Sequence, residues 1–273
     1  MKKTDLQTSD VKQLATGFQF VEGPVWDHDG HWLFSDIPGN RIHKISPDGE
    51  LTVHREPSGN SNGLTFDHSG RLLACEHGNR RVSLDGETLV DTFEGKKLNS
   101  PNDIVVHSSG AVYFTDPPYG IKPEEQVQPH NGVYRRDPTG AMTLLVADFE
   151  RPNGLAFSPD ESVLYIDDTH HQHVRAFDVT ADGALTNSRL FADLAHDEPG
   201  GPDGLKIDQQ GHIYTTNALG VWVHAPDGEF LGVIETPEVP ANCAWGKDGH
   251  TLFMTARTSV YTVEVKIPGT IAL

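Results

Sequence analysis

The sequence lacks the features that would place it in a membrane or beside a nucleic acid. No run of 18 apolar residues occurs in its 273 residues, so no membrane-spanning helix is predicted. Basic residues are few: 21 Lys and Arg stand against 39 Asp and Glu, a formal net charge of −18. Because an acidic surface repels a phosphate backbone, we expect no nucleic-acid partner, whereas a cation is a favourable one.

Cysteine is scarce, with only Cys75 and Cys243 in the chain. Both lie in apolar, strand-like runs, where Cys commonly behaves as a small buried hydrophobe. One disulfide remains an alternative, but two cysteines do not make a disulfide framework. The first ten residues, MKKTDLQTSD, contain two lysines but no apolar core, so they do not resemble a secretory signal. We therefore expect a cytoplasmic protein.

Established catalytic motifs are also missing. The sequence contains neither a P-loop nor an HExxH motif, and no Ser or His stands at a spacing that indicates a catalytic triad. The histidine tract HHQH, residues 170–173, does not have the spacing of a zinc site. We interpret it as a solvated loop.

The sequence shows almost no helical periodicity and many strand signals. Short alternating runs closed by turn residues indicate strands, and turns such as HDG, HSG, SSG, QQG and KDG precede most of them. Six of these runs are versions of one strand: WLFSD, LLACE, VYFTD, LYIDD, IYTTN and LFMTA. Gly and Pro are spread evenly, so no linker is indicated.

The chain contains an internal repeat, and each unit begins at one polar residue, which we call its anchor. The six anchors are Glu22, Asn62, Asn102, Asn153, Asp203 and Asn242. Successive anchors stand 40, 40, 51, 50 and 39 residues apart. A period near 40 with about four short strands is typical of a β-propeller blade. We predict an all-β, six-bladed propeller in a single domain over residues 1–273; a two-sheet sandwich would not repeat one spacing.

The two longer spacings place insertions in the third and fourth blades, and we expect both insertions, residues 117–132 and 180–190, to shape a pocket. Because each anchor begins the strand that lines the central channel, the anchors should form a ring at one channel mouth. A second polar ring is predicted 14 residues after each anchor, since a hairpin brings such positions side by side. Its acidic members include Glu76 and Asp116, which we expect to support the anchors from behind.

The sixth repeat is one strand short. After its third strand, near residues 259–265, the chain reaches Pro268 and has no room for a fourth strand. An unpaired edge would invite aggregation. The segment VKQLAT, residues 11–16, belongs to no complete blade. We predict that this N-terminal segment forms the outermost strand of the last blade.

The anchors offer only oxygen atoms to a cation. Asn and Asp also favour turns for local reasons, but a turn does not require the charges of Glu22 and Asp203. Oxygen ligands suit Ca²⁺, Mg²⁺ or Mn²⁺, and a wide, flexible mouth favours Ca²⁺ over Mg²⁺. We predict one divalent metal ion, Ca²⁺, with Mg²⁺, Mn²⁺ and Zn²⁺ as alternatives.

Several motifs occur together and in order: EGPVWD, LNSPNDIVV, YFTDPPYG, NGVYR, PNGLAFSPD, GGPDGLKID and PANCAWG. With them the chain resembles the senescence marker protein / gluconolactonase / luciferin-regenerating family, in its bacterial gluconolactonase branch, over nearly its whole length. The resemblance implies a six-bladed propeller with one divalent metal in its channel. It further implies that Glu22, Asn153 and Asp203 hold this metal, that Asn102 contacts substrate or metal, and that Asp203 is the general base. Animal members carry an arginine two positions before Asn102, where this chain has Ser100.

The reaction that the resemblance implies is hydrolysis of a sugar lactone, such as gluconolactone, to an aldonic acid. The metal would polarise the ring carbonyl, Asp203 would take a proton, and Asn102 and Asn153 would orient hydroxyl groups. The expected partner is a small-molecule sugar lactone, and neither a nucleic acid nor a membrane is expected. Two alternatives stay open: a phosphotriester or organofluorophosphate hydrolase that uses the same metal site, and a non-enzymatic, metal-dependent binding propeller.

Overall fold

The computed structural model describes residues 2–270, which are almost entirely β-structure. Six four-stranded antiparallel sheets form the six blades of a β-propeller, as predicted. Met1 and residues 271–273, which the domain prediction also covered, lie outside the described residues. In the described part of the chain, no helix has the length and apolar character needed to cross a membrane.

The first three blades follow a single N-terminal strand, β1 (Lys12–Thr16). Blade 1 consists of β2 (Val21–Trp26), β3 (Trp32–Asp36), β4 (Arg41–Ile45) and β5 (Leu51–Arg55). Blade 2 consists of β6 (Ser61–Phe66), β7 (Leu72–Glu76), β8 (Arg81–Leu84) and β9 (Glu87–Val90). A small hairpin, β10 (Thr92–Phe93) and β11 (Lys96–Lys97), leads to blade 3. That blade consists of β12 (Ile104–Val106), β13 (Val112–Asp116), β14 (Asn131–Arg136) and β15 (Met142–Phe149).

The remaining blades occupy the second half of the chain. Blade 4 consists of β16 (Pro152–Phe157), β17 (Val163–Asp168), β18 (His173–Val179) and β19 (Leu185–Asp193). Blade 5 consists of β20 (Leu205–Ile207), β21 (Ile213–Asn217), β22 (Gly220–His224) and β23 (Phe230–Glu235). Blade 6 takes β24 (Asn242–Gly246), β25 (Thr251–Ala256) and β26 (Ser259–Glu264) from this half. A 3-10 helical turn, Pro123–Glu125, lies in the connection between β13 and β14.

The N-terminal strand completes the sixth blade, which confirms the prediction made from residues 11–16. β1 pairs antiparallel with β26, with Lys12 opposite Thr262 and Thr16 opposite Ser259, so the sheet order is β1-β26-β25-β24. The preceding residues continue this attachment, because Thr8 N donates to Glu264 O at 2.8 Å. The first strand of the chain therefore covers the edge that the last strand would otherwise expose.

The hydrophobic core lies between neighbouring blades. At the junction of blades 1 and 6, Trp32 stacks on Phe253 with ring centroids 4.9 Å apart, and Leu14 of β1 packs against the same cluster. Burial of each such large apolar side chain contributes about 1.5–3 kcal/mol. The two cysteines, Cys75 and Cys243, are free and buried in these layers, as hydrophobic residues would be.

The inner strands define the channel. β2, β6, β12, β16, β20 and β24 contact one another in sequence, and β24 closes the ring on β2. All six run in the same direction from the anchor end. Since strands within a blade alternate in direction, the connection between the second and third strand of each blade returns to the anchor end of the channel.

Candidate functional site

The six anchors lie where the six inner strands begin, at one mouth of the channel. Five of them are almost wholly buried, with exposed fractions of 3% or less: Glu22, Asn62, Asn102, Asn153 and Asn242. Asp203 alone keeps a larger part of its surface accessible. Five polar groups of the ring are thus sealed by the blades, and Asp203 is half-buried.

Close approach between blades explains why glycine follows most anchors. A Cβ on Gly23 would overlap the carbonyl oxygen of Asn62, and a Cβ on Gly154 would overlap that of Asp203. Hydrogen bonds fix these contacts, because Gly154 N donates to Asp203 O at 2.8 Å. The Asn-Gly pattern therefore arises from the packing of one blade against the next rather than from a turn alone.

The carboxyl groups of Glu22 and Asp203 lie within hydrogen-bonding reach of each other. Burial raises the pKa of Glu22 to about 7; the Gly23 N–H, which donates to Glu22 Oε2 at 2.7 Å, lowers this pKa, and the charge of Asp103 raises it. Burial, followed by the charges of Glu22 and Asp167, raises the pKa of Asp203 well above its ordinary value. Two carboxylates so close repel one another, and a divalent cation between them would remove that repulsion.

Buried amide oxygens complete the donor set. Asn153 Nδ2 donates to Thr169 Oγ1 at 3.1 Å, which leaves Asn153 Oδ1 buried without a hydrogen-bond partner. An orphaned buried acceptor costs about 1–3 kcal/mol, and a bound cation would recover this cost. Carboxylate and amide oxygens are the ligands that Ca²⁺ prefers. The residues present therefore fit a hard divalent ion held by Glu22, Asn153 and Asp203, with Asn102 in the same ring.

Soft-metal ligands do not gather at this mouth. Within residues 2–270, no group of three or more His, Cys, Asp and Glu side chains has the geometry of a metal site. The anchor ring differs from such a group because half of its proposed donors are amides. In the HHQH tract, His171 Nδ1 lies 2.9 Å from Asp168 Oδ2 and the His171 ring stacks on His173 at 5.6 Å.

In blade 1 the strand register corrects the expected pairing of the anchor with the residue 14 positions later. Glu22 lies opposite Ser35, whereas Asp36 lies opposite Val21. Since neighbouring residues of a strand point to opposite faces, the later residue does not share the face of its anchor. Ser35 occupies the expected place, and its hydroxyl donates to Asn62 O at 2.8 Å.

Asp116 and Glu76 bind groups other than the anchor side chains. Asp116 accepts hydrogen bonds from Asn99 N at 2.8 Å and Ser100 N at 2.7 Å, and so fixes the loop that leads to Asn102. Glu76, with an exposed fraction of 1%, accepts from four neighbours in blades 1 and 2: Arg81 Nε at 2.7 Å, Arg55 Nη2 at 3.1 Å, Ser83 Oγ at 2.6 Å and Asn79 Nδ2 at 2.6 Å.

One extra residue in blade 4 changes the role of two aspartates. Asp168, opposite Pro152, accepts from Glu150 N at 2.9 Å and thereby does what Asp116 does in blade 3. Asp167 does not bind the preceding loop in this way. It is fully buried, and neither of its carboxylate oxygens has a hydrogen-bond partner. Burial, followed by the charges of Asp103 and Asp168, raises the pKa of Asp167 well above its ordinary value.

Asp103 and Lys206 are two channel residues that the sequence analysis missed. Asp103 stands where four of the other five blades have a glycine after the anchor, and its Oδ2 lies 3.4 Å from Asn242 Nδ2. Lys206 Nζ lies 3.8 Å from the same oxygen, so its ammonium group offsets part of the negative charge in the channel. The charged residue at position 103, where most blades have glycine, was the signal in the sequence.

The insertion at residues 117–132 forms most of the loop between β13 and β14, at the anchor end of the channel. Burial raises the pKa of Tyr119 to about 12, with the charge of Asp203 adding to the rise and the Thr169 hydroxyl lowering it. Tyr119 lies near Thr169, whose hydroxyl donates to the carbonyl oxygen of Pro202, the residue before Asp203, at 2.8 Å. The guanidinium carbon of Arg151 is 5.6 Å from the centre of the Tyr119 ring.

The other predicted insertion, residues 180–190, lies at the opposite end of the channel. Its turn joins β18 to β19, where Gly183 O accepts from the Tyr113 hydroxyl at 2.9 Å. An apolar cavity of about 470 Å³ also opens at that end, between Trp26, Phe157 and Trp245. The expectation that residues 180–190 shape the pocket at the anchors is therefore wrong, because the extra length extends the outer strands.

Residues 59–63, GNSNG, match the letters of the GxSxG nucleophile motif. The local structure does not: Ser61 is fully buried in β6, and its hydroxyl lies 2.8 Å from the hydroxyl of Ser35. A nucleophile elbow requires a strand, a sharp turn and a helix, whereas β6 is followed by a turn and β7. Ser61 is a packing residue.

The fold and the site together define a six-bladed propeller with an oxygen-donor centre at the mouth of its channel. Residues 20–258 match the family model described as the SMP-30/Gluconolactonase/LRE-like region, and the chain belongs to this family.

Two curated relatives and one solved structure resemble this chain over most of its length. The gluconolactonase of Zymomonas mobilis is 35% identical over 295 residues, which cover 96% of this chain and 83% of the relative. A pentonolactonase of Haloferax volcanii is 28% identical over 90% of this chain and 84% of its own. The structure of a gluconolactonase from Xanthomonas campestris superposes with a TM-score of 0.86 at 35% identity, over 94% of this chain and 89% of that one.

Proposed function

We propose that this protein is a lactonase that hydrolyses a gluconolactone-like sugar lactone to its aldonic acid, with one divalent metal ion, Ca²⁺, at the channel mouth. The observation that carries the proposal is the pair of adjacent carboxyl groups, Glu22 and Asp203, beside the unpartnered amide oxygen of Asn153. Family relatives named gluconolactonase and pentonolactonase support the reaction class.

Glu22, Asn153 and Asp203 would hold the ion, and Asn102 would lie beside it. When bound, a divalent cation polarises an ester carbonyl and stabilises negative charge on its oxygen. The donors come from blades 1, 4 and 5, so no single blade provides the site. Backbone contacts between blades, such as Gly154 N to Asp203 O, fix these donors before a ligand arrives.

Asp203 is the proposed general base. It is the anchor with the most accessible surface, so a water molecule in the lumen can reach it. Burial and the neighbouring charges of Glu22 and Asp167 raise its pKa, which makes its ionised form a better proton acceptor. The carboxylate would accept a proton from the attacking water, while the amides of Asn102 and Asn153 orient the hydroxyl groups of the lactone.

Tyr119 forms the wall of this mouth. Its ring centre lies 5.6 Å from the Arg151 guanidinium carbon, and its phenol, which is protonated at physiological pH even in water, is kept so by burial, which raises its pKa to about 12. A protonated phenol can donate a hydrogen bond to a lactone oxygen. The ring also limits how much water enters beside the ester.

A substrate panel tests the proposal. The purified protein is incubated with glucono-1,5-lactone, a pentonolactone, a phosphotriester and an organofluorophosphate, and acid release is measured. We expect turnover of the lactones with catalytic efficiency at least about tenfold above either phosphorus ester. Preference for a phosphorus ester would favour that alternative, and no turnover of any ester would leave a binding propeller.

A further inference from the structure

Arg151 is anchored at the channel mouth, two residues before Asn153. Its backbone N–H donates to Asp168 Oδ1 at 3.1 Å, and its carbonyl oxygen accepts from Thr169 N at 3.1 Å. The side chain is exposed and, among residues 2–270, its guanidinium group makes no hydrogen bond and no ion pair with the protein. The backbone is thus fixed while five N–H donors stay available to a ligand.

Six of the eleven arginines are neutralised by a carboxylate, whereas no ion pair among the described residues engages Arg80, Arg135, Arg136, Arg151 or Arg257. Ion pairs with Asp or Glu engage Arg41, Arg55, Arg71, Arg81, Arg175 and Arg189. Acceptors are abundant, since 39 Asp and Glu stand against 21 Lys and Arg. A guanidinium without such a partner, at the mouth of an acidic channel, is therefore free to receive an anion from solution.

The aromatic ring of Tyr119 positions this guanidinium. The Arg151 guanidinium carbon lies 5.6 Å from the ring centre, within the range of a cation–π contact. Tyr119 also lies near Thr169, whose hydroxyl accepts from Asn153 Nδ2 at 3.1 Å and donates to Pro202 O at 2.8 Å. Tyr119 thus links the anchor end of the channel to Arg151.

We propose that Arg151 binds an anionic group at the end of the substrate remote from the lactone carbonyl, so that the substrate is an acidic sugar lactone. This inference rests on the lactonase function proposed above. The planar guanidinium presents paired N–H donors that match a carboxylate, sulfonate or phosphate. An elongated lactone with its carbonyl at the anchors would carry its distal substituent past Tyr119 toward Arg151.

The positive charge of Arg151 would offset the repulsion between an anionic substrate and the acidic channel. The channel contains Glu22, Asp103, Asp167 and Asp203, and the whole chain carries a formal charge of −18. Such a field repels an anionic substrate unless a local cation receives its charge. Lys206 cannot do so from the mouth, because it lies within the channel, 3.8 Å from Asp103.

Steady-state kinetics on neutral and acidic lactones test this proposal. The substrates are glucono-1,5-lactone, 6-phosphoglucono-1,5-lactone and glucaro-1,4-lactone, which distinguish a phosphate from a carboxylate. The variants are Arg151→Gln, Arg151→Lys and Arg189→Gln, the last a matched loss of one positive charge on the outer strand of the same blade. Tyr119→Phe keeps the ring, and Tyr119→Leu removes it.

We expect the wild type to prefer at least one acidic lactone. Arg151→Gln should lower kcat/KM for that lactone by about 10- to 100-fold, mainly through KM, because Arg151 contacts a group remote from the reaction. Turnover of glucono-1,5-lactone should change by less than about threefold, and Arg189→Gln should change neither. Arg151→Lys should restore part of the loss and Tyr119→Phe should retain the preference, whereas Tyr119→Leu should weaken it. Equal losses on both lactones, or a wild type that prefers the neutral lactone, would overturn the proposal while the lactonase function stands.

Binding measurements separate this inference from turnover. Calorimetric titration of 6-phosphogluconate and gluconate into the wild type and Arg151→Gln does not require catalysis. We expect the phosphorylated acid to bind more tightly, and Arg151→Gln to remove the difference. If both proteins bind the two acids alike, Arg151 does not recognise the anion, whether or not any lactone is hydrolysed.

Discussion

The hydroxyl of Ser259 donates a hydrogen bond of 2.9 Å to the hydroxyl of Thr16, although 243 residues separate them along the chain. The two residues also face each other in the ladder between β26 and β1. This pair joins the last strand of the chain to the first, so the ring of blades is closed by hydrogen bonds between its two ends.

Deletion of residues 1–16 should destabilise the protein without removing a proposed metal ligand. The deletion exposes the edge of β26 and removes Leu14 from the cluster between blades 1 and 6. The loss of the β1–β26 hydrogen bonds and of the apolar burial should lower the free energy of unfolding by about 5 kcal/mol and Tm by about 10–20 °C. Circular dichroism during heating measures this loss; a truncated protein that melts with the wild type would disprove the closure.

Removal of the metal should abolish lactone hydrolysis. The carboxyl groups of Glu22 and Asp203 lie against each other, and burial raises the pKa of both. We expect no activity after thorough chelation and full recovery on adding Ca²⁺, with Mg²⁺, Mn²⁺ and Zn²⁺ compared at equal concentration. Unchanged turnover of lactone by the chelated protein would contradict a metal-dependent mechanism.

Asp203→Asn keeps an oxygen ligand but removes the proposed base. We expect kcat to fall by about 10²–10⁴, as is typical when a positioned general base is lost. Calorimetric titration with Ca²⁺ should show a smaller loss of affinity than in Glu22→Ala, which removes a charged ligand. If kcat stays within about twofold of the wild type, Asp203 is not the base.

Asn153 and Asn62 form a matched pair for testing the amide ligands. Both occupy anchor positions, and the side-chain oxygen of each is buried without a partner. Asn153 Nδ2 donates to Thr169 Oγ1 at 3.1 Å, and Thr169 also lies near Tyr119. Asn62 Nδ2, in contrast, lies 3.4 Å from His77 Nε2. Asn153→Ala should lower Ca²⁺ affinity at least about tenfold, and Asn62→Ala by less than about threefold. Equal losses of Ca²⁺ affinity in the two variants would mean that the ion does not bind Asn153 in preference to Asn62.

The stability of the fold should decrease in acid partly because of His224. Burial lowers the pKa of His224 to about 4 from 6.5, and its Nδ1 has no hydrogen-bond partner. The unfolded chain takes up this proton first as the pH falls, so the stabilisation is complete above pH 6.5 and is lost between pH 6.5 and 4. A shift of this size corresponds to about 3 kcal/mol.

His224→Phe removes the titration and suits the neighbours Phe191 and Phe230. Urea denaturation of both proteins at pH 7.5 and pH 4.5 should therefore show a smaller loss of unfolding free energy in the variant. Parallel losses in the two proteins would mean that His224 does not contribute to the acid sensitivity.

The sequence by itself determined the number of blades, the polar anchor of each and the closure by residues 11–16. These features are local or repeated. A strand, its turn and its anchor recur because each blade packs against its neighbours in the same way. The missing strand of the sixth repeat followed from counting, since an unpaired edge is unfavourable. The insertion at residues 117–132 was likewise visible as extra length.

Only the tertiary structure decided which side chains share the channel. Because blade 4 has one extra residue, Asp168 lies opposite Pro152, and the charge of Asp167 acts on Asp203. The spacing of residues in the sequence does not reveal this change of register. The contact between Asp103 and Lys206, and the stacking of Arg151 on Tyr119, join different blades or loops. Their positions depend on the closure of the whole ring, because the distance across a channel is set by how six blades pack together and not by any segment of chain.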